Sequence, residues 1–233
     1  MRDLDELLAV DDPAMLVVRE WIDAGRVEAA LLPPEPGRRE RCLVGLQVTV
    51  RSVLGALAYE TGGLLVDHGW LRLLGGGHGT LPSLYEAAQV DDARSAKGHL
   101  VLGWDVVGGV FALDTGDLGH SGRVCYYAPD SLQWDDLGLG HAEFVEWVLS
   151  GGLSTLAEDL RWEGWREQAA GLRLDEAYLV EPPLWTRGRR ETTETSRRRV
   201  PVAELLAHQA RAARVPHLSR GHRPGLTTRF GHR

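Results

Sequence analysis

Apolar residues along this chain follow two rhythms. Between Leu64 and Trp134 they come in short runs bounded by glycine or aspartate: Leu64–Val66, Trp70–Leu74, Leu100–Trp104, Val110–Asp114, Val124–Tyr127 and Leu132–Trp134. Short apolar runs separated by turn residues predict strands joined by tight connections, and Asp67-His68-Gly69 reads as the turn of a hairpin between the first two. Elsewhere the spacing is helical. Asp11-Asp12-Pro13 followed by Met15, Leu16, Val18, Trp21 and Ile22 predicts a helix entered through an acidic cap with proline in its first turn, ending near Gly25. After the rigid connector Pro33-Pro34-Glu35-Pro36-Gly37, Cys42, Leu43 and Leu46 predict a second helix between Arg38 and Leu46. A short helical stretch is expected around Leu81–Ala88. Phe144, Val145, Val148 and Leu149 share one face of a helix over His141–Leu149, which Gly151-Gly152 terminates and which should lie against the sheet.

Further on, Trp162, Trp165 and Ala169 predict another helix, Ala177–Val180 a last strand, and Pro182-Pro183 its end. The run Thr186 to Arg199 is almost without apolar residues and reads as a solvated linker. Val202–Ala213 recovers a short helix, and Pro216 onward reads as a flexible terminus. The expected class is α+β, with one twisted, mostly antiparallel sheet backed by helices and a basic C-terminal extension. The expected division is a domain over residues 1–185 and a basic, partly flexible extension over 186–233.

At 233 residues and 43% hydrophobic content the chain can fill a core. No stretch approaches the roughly 20 apolar residues that cross a bilayer, and Met1-Arg2-Asp3-Leu4-Asp5-Glu6 lacks the basic start of a secretory signal, so a cytoplasmic location is expected. Cys42 and Cys125 are the only cysteines, which excludes a disulfide framework and a four-thiolate zinc site. Only Lys97 among 26 basic residues is lysine, a codon-bias signature rather than a functional one. Charge is segregated. Residues 187–233 carry 12 arginines against Glu191, Glu194 and Glu204, a net of +9, whereas residues 1–186 hold 14 basic and 30 acidic groups, a net of −16.

Local motifs for chemistry are weak. Gly75-Gly76-Gly77-His78-Gly79 offers flexible backbone that could approach an anion, but no Gly-Lys-Ser/Thr follows and a structural turn explains it. Gly103 to Gly109 lacks the dinucleotide-binding register and sits between apparent antiparallel strands. His68, His78, His99, His120 and His141 have no pair at metal-binding helical spacing. Ser121 beside His120 is not a nucleophile elbow, and Asp135-Asp136 reads as a solvated turn. The tryptophans Trp70, Trp104, Trp134, Trp147, Trp162, Trp165 and Trp185 should mostly fill the interior, since each indole buries about 150–250 Å². The arginine-rich tail lacks interleaved aromatic residues for base stacking and follows an acidic body that repels nucleic acid.

The string from Leu46 to Gly75, with Gln47-Val48-Thr49, Leu57-Ala58-Tyr59-Glu60-Thr61-Gly62-Gly63 and Asp67-His68-Gly69-Trp70-Leu71-Arg72-Leu73-Leu74-Gly75, resembles the uncharacterised bacterial domain-of-unknown-function family twenty-six twenty-five. More distantly, the order from Tyr59–Gly63 through Leu102-Gly103, Gly108–Asp114, Gly122–Tyr127 and Trp134 to Phe144–Leu149 resembles the SUKH superfamily; residues 161–233 lie outside that likeness. Bacterial SUKH proteins often act as immunity proteins that bind toxin domains, so the resemblance implies a toxin-neutralising protein-binding module that works on an exposed face without cofactor, metal or catalytic residues. The implied partner is a basic protein toxin, to which an acidic inhibitor would be steered electrostatically; neither membrane nor nucleic acid is expected. The residues expected to meet it, from their place at predicted turns, are Asp67, His68, His78, Asp105, Asp114 and Asp117. Two alternatives stay open: an enzyme with a His/Asp pocket near Gly75–Gly79, and nucleic-acid association through the arginine-rich tail.

Overall fold

The computed structural model describes residues 1–89, 98–186 and 195–214. The flexible terminus expected from Pro216 and most of the expected linker lie outside these residues.

The chain opens with α1 (Leu4–Leu8), a helix too short for a hydrophobic period to announce but fixed by a capping box: Asp3 accepts the Glu6 N–H at 2.9 Å, and Glu6 accepts the Asp3 N–H at 3.0 Å. The helix α2 (Met15–Asp23) buries Met15 and Val18 and leaves Leu16 and Val17 in solvent. After the short edge strand β1 (Ala29–Leu32) come α3 (Arg38–Leu46), burying Cys42 and Leu43, and α4 (Val53–Glu60), capped by the Ser52 hydroxyl on the Gly55 N–H at 3.0 Å. The chain alone did not announce α4 because Val53, Gly55, Ala56, Leu57 and Ala58 are all buried, so the segment has no polar face to set a period.

Then follow β2 (Gly63–Val66), β3 (Leu71–Leu74), α5 (Leu84–Ala88), β4 (His99–Asp105), β5 (Val110–Asp114), β6 (Val124–Ala128) and β7 (Gln133–Asp136). The strands pair in chain order from β1 to β7, every neighbour antiparallel, with Leu65 opposite Arg72 and Trp104 opposite both Arg72 and Val110. The α+β class with a helix-backed antiparallel sheet is therefore observed. The connections β2–β3, β4–β5, β5–β6 and β6–β7 are too short for the crossovers parallel strands need, whereas the β1–β2 and β3–β4 connections carry α3, α4 and α5 and still return the chain antiparallel. On one side Phe111 stacks with Tyr126 and with Phe144 of α6 (His141–Leu149), ring centroids 4.6 and 5.2 Å apart, so α6 lies against the sheet as its apolar face predicts.

The chain continues through α7 (Gly152–Leu156), a 3-10 turn at Glu158–Leu160, α8 (Trp165–Ala170), β8 (Glu176–Glu181), β9 (Ser196–Pro201) and α9 (Val202–Ala213). Leu206, Ala212 and Ala213 of α9 cover Val110, Tyr127 and Leu132 on the second side of the sheet. The solvated-linker reading is corrected at its end: Ser196–Pro201 pair antiparallel with β8, Tyr178 opposite Arg199, in a separate two-stranded sheet. Backbone pairing needs no apolar side chains, and the register places the one apolar residue of β9, Val200, opposite Ala177, where both are buried. Tyr178 donates its N–H to the Val106 carbonyl at 2.7 Å and ties this small sheet to the β4–β5 turn.

Candidate functional site

The most elaborate polar constellation lies where the β2–β3 and β4–β5 turns meet α8 and β8. In the first turn Asp67 and His68 both adopt left-handed backbone, φ 55° and 56°, a conformation that aspartate tolerates. The Asp67 carboxylate accepts from Arg161, whose guanidinium lies 4.1 Å from the Trp165 ring centroid and 5.2 Å from that of Trp70. Burial lowers the Arg161 pKa and Asp67 opposes the shift. Arg166 stands 4.7 Å from Trp165, and Arg197 of β9 stands 4.5 Å from Trp162, so arginines and tryptophans alternate across the contact between the two sheets. His68 meets Trp165 edge-on and lies 2.9 Å from the exposed Glu28 carboxylate.

The second turn is organised by Asp105, which is 1% exposed. Its carboxylate accepts the Val107 and Gly109 N–H groups at 2.9 and 2.8 Å and the Tyr126 hydroxyl at 2.8 Å. Burial pushes its pKa up against the pull of those donors. Arg72 of β3, 2% exposed, donates to the Gly69 carbonyl at 2.7 Å; burial pushes its pKa down to about 10, opposed by the Asp105 charge. Trp70, Arg72, Trp104 and Arg161 each keep one buried nitrogen without a hydrogen-bond partner.

The glycine loop is consumed by packing. The Gly76 and Gly77 N–H groups donate to Thr61 and Gly62 carbonyls at 2.8 and 3.1 Å, His78 N–H to Leu81, and Gly79 N–H to the Glu35 carboxylate at 2.7 Å. These four amides are therefore already taken by partners within the chain, the Gly79 N–H by the Glu35 carboxylate. Arg38 ties the loop down by donating to Glu35, Glu86 and the Gly79 and Leu81 carbonyls. The Arg38 hydrogen bond holds the Glu86 pKa below the usual carboxylate range, and the Gly79 N–H, then Arg38, do the same for Glu35. His78 contacts the Pro33 carbonyl at 3.0 Å.

Asp114, also 1% exposed, organises the β5–β6 loop through the N–H groups of Gly116, Leu118 and His120 at 2.7, 3.1 and 2.5 Å. Asp117 is exposed on that loop. The Asp135-Asp136 pair is not a solvated turn: both lie in β7, and Asp136 faces Arg123 at 3.0 Å and His120 at 3.2 Å with its side chain only 7% exposed.

The six residues expected at a partner surface thus divide. His68, His78 and Asp117 reach solvent, while Asp67, Asp105 and Asp114 are buried and shape the loops. The structure does not gather them into one cleft polar network: His78 belongs with Arg38 and Glu35, Asp67 with Arg161, and Asp114 with its own loop. Arg38, Arg72 and Arg161 escaped the sequence reading. An arginine in the apolar string Leu71-Arg72-Leu73-Leu74 was the one available signal. Among the described residues no three His, Cys, Asp or Glu side chains gather as a metal-binding group, and no helix is long and apolar enough to cross a membrane.

The family model described as protein of unknown function DUF2625 matches residues 4–205. The uncharacterized protein YbfG of Escherichia coli (strain K12) is 38% identical over 214 residues, covering 90% of this chain and 96% of its own length. An uncharacterized protein of Haemophilus influenzae (strain ATCC 51907 / DSM 11121 / KW20 / Rd) is 32% identical over 189 residues, covering 79% of this chain and 83% of its own. No solved structure matches significantly.

Proposed function

The chain belongs to the DUF2625 family, and from that premise we propose that it is a protein-binding module of the SUKH-like kind that neutralises a basic bacterial protein toxin by surface complementarity. The observation that carries this reading is the segregation of charge: residues 1–186 hold a net of −16 although Asp67, Asp105 and Asp114 are internal, so the remaining acids dominate the outside. A field of one sign raises the encounter rate with a partner of the other and discourages wrong ones. The antiparallel sheet carrying α6 on one side supports the same reading, because it follows the order of elements on which the SUKH resemblance rests.

The buried carboxylates have a place in this account. Asp67 fixes the turn that presents His68, and Asp114 fixes the loop that presents Asp117, so turn geometry prepares contact groups at little cost in ordering on binding. No step of bond making or breaking is involved, and complementarity of charge and shape is the whole mechanism.

The test is titration of the full chain, by calorimetry, against a panel of purified basic toxin nuclease domains in catalytically inactive form. A panel member is expected to bind, with affinity falling at least about tenfold between low and roughly 0.3 M salt, where the Debye length shrinks to about 5 Å. Absence of binding across the panel at low salt overturns the reading.

A further inference from the structure

We propose that the docking surface is the outer face of α2, with Leu16 and Val17 entering an apolar hollow on a basic protein partner while the carboxylates around them meet its cations. The inference rests on the toxin-binding reading and adds its location. Helix α2 is anchored by Met15 and Val18, 2% and 0% exposed. Leu16 and Val17 are 64% and 41% exposed and, with the terminal Met1, are the exposed large hydrophobic residues among those described. A lone exposed leucine needs no explanation, but two adjacent ones at the centre of a charged rim do.

The rim follows from helical spacing. Within α2, Glu20 follows Leu16 by four residues and Asp23 extends the acidic stripe by another turn, while the exposed Asp12 lies in the turn that leads into the helix. Residues 1–24 contain seven acids against Arg2 and Arg19, a net of −5. Asp12 approaches Arg51 only at 3.9 Å with both side chains mostly in solvent, and among the described residues Asp11, Glu20 and Asp23 take part in no ion pair. These carboxylates are therefore free to take an external partner.

Charge also chooses among occupants. A second copy docking through the same helix would set −5 against −5 across a two-fold axis, and an anionic lipid surface or nucleic acid would be repelled in the same way. A cationic protein surface with a small apolar hollow satisfies both features, in the usual arrangement of an apolar centre inside a polar rim.

The experiment uses the full chain and a panel domain that it binds, comparing wild type with Leu16→Ser/Val17→Ser, with Glu20→Gln/Asp23→Asn, and with Asp159→Asn in the 3-10 turn at Glu158–Leu160, outside α2, as control. The apolar pair is expected to weaken binding at least about tenfold with thermal stability unchanged, the acid pair to flatten the salt dependence, and the control to do neither. Unaltered affinity in Leu16→Ser/Val17→Ser overturns this surface while leaving toxin binding in place. A wild type that binds no panel domain overturns both. Light scattering that shows a wild-type dimer made monomeric by the same double variant overturns it in favour of self-association.

Discussion

Asp114 shows what a single side chain contributes here. Burial raises its pKa, but the N–H groups of Gly116, Leu118, His120 and Asp117 more than offset that and leave it below the ordinary 3.8. A depressed acid contributes stability that is complete above the unfolded pKa and is lost as pH falls through the folded one. Asp114→Asn puts an amide NH₂ against an N–H donor and is expected to cost about 1–3 kcal/mol at neutral pH. The gap to wild type should close as pH falls below the ordinary carboxylate range, read from urea midpoints; a gap independent of pH would show that the carboxylate charge is not what holds the loop. Legibility at this scale was partial. Turn residues such as Asp67 and Asp105 stand out locally, whereas the Arg161 partner of Asp67 is 94 residues away and nothing in its own neighbourhood announces the contact.

At the scale of elements, the glycine loop separates two reasons for the same residue type. A Cβ on Gly76 would stand 2.6 Å from the Ala58 carbonyl oxygen and 2.9 Å from the Arg39 Cβ, so the β3–α5 connection could not rest on α3 and α4. Gly79 has open space around it but a φ of +52° that only glycine takes without penalty. Gly76→Ala is expected to cost about 1–3 kcal/mol from overpacking and Gly79→Ala about 1 kcal/mol from backbone conformation alone. Thermal melts of the two variants should rank them in that order, and equal losses would remove the packing explanation. The strands of the meander were legible because each run is bounded by turn residues. The elements that escaped, α1, α4, α7, β1 and β9, are short, evenly buried, or paired through backbone alone, and none of these leaves a period in the sequence.

For the molecule as a whole, the junction between the two sheets decides how much of the chain folds together. Removing everything after Trp185 deletes β9 and α9, and uncovers Ala177 on β8 and Val110 and Tyr127 on the large sheet. Since burying one valine or leucine side chain is worth about 1.5–3 kcal/mol, the truncated chain is expected to melt at lower temperature and to bind a hydrophobic dye. An unchanged melting temperature would instead mark residues 1–185 as self-sufficient, the division expected from composition. The linear order of apolar runs, glycines and charges was enough to determine the α+β class, the meander, the helix against its face and the acidic exterior, because period and turn chemistry act between residues close in the chain. Only tertiary structure decided that three of the six turn residues are internal, that arginines and tryptophans interleave between the sheets, and that Leu16 and Val17 face outward. Those outcomes depend on which distant elements come to lie over a residue, and burial and pairing across such distances leave no local trace.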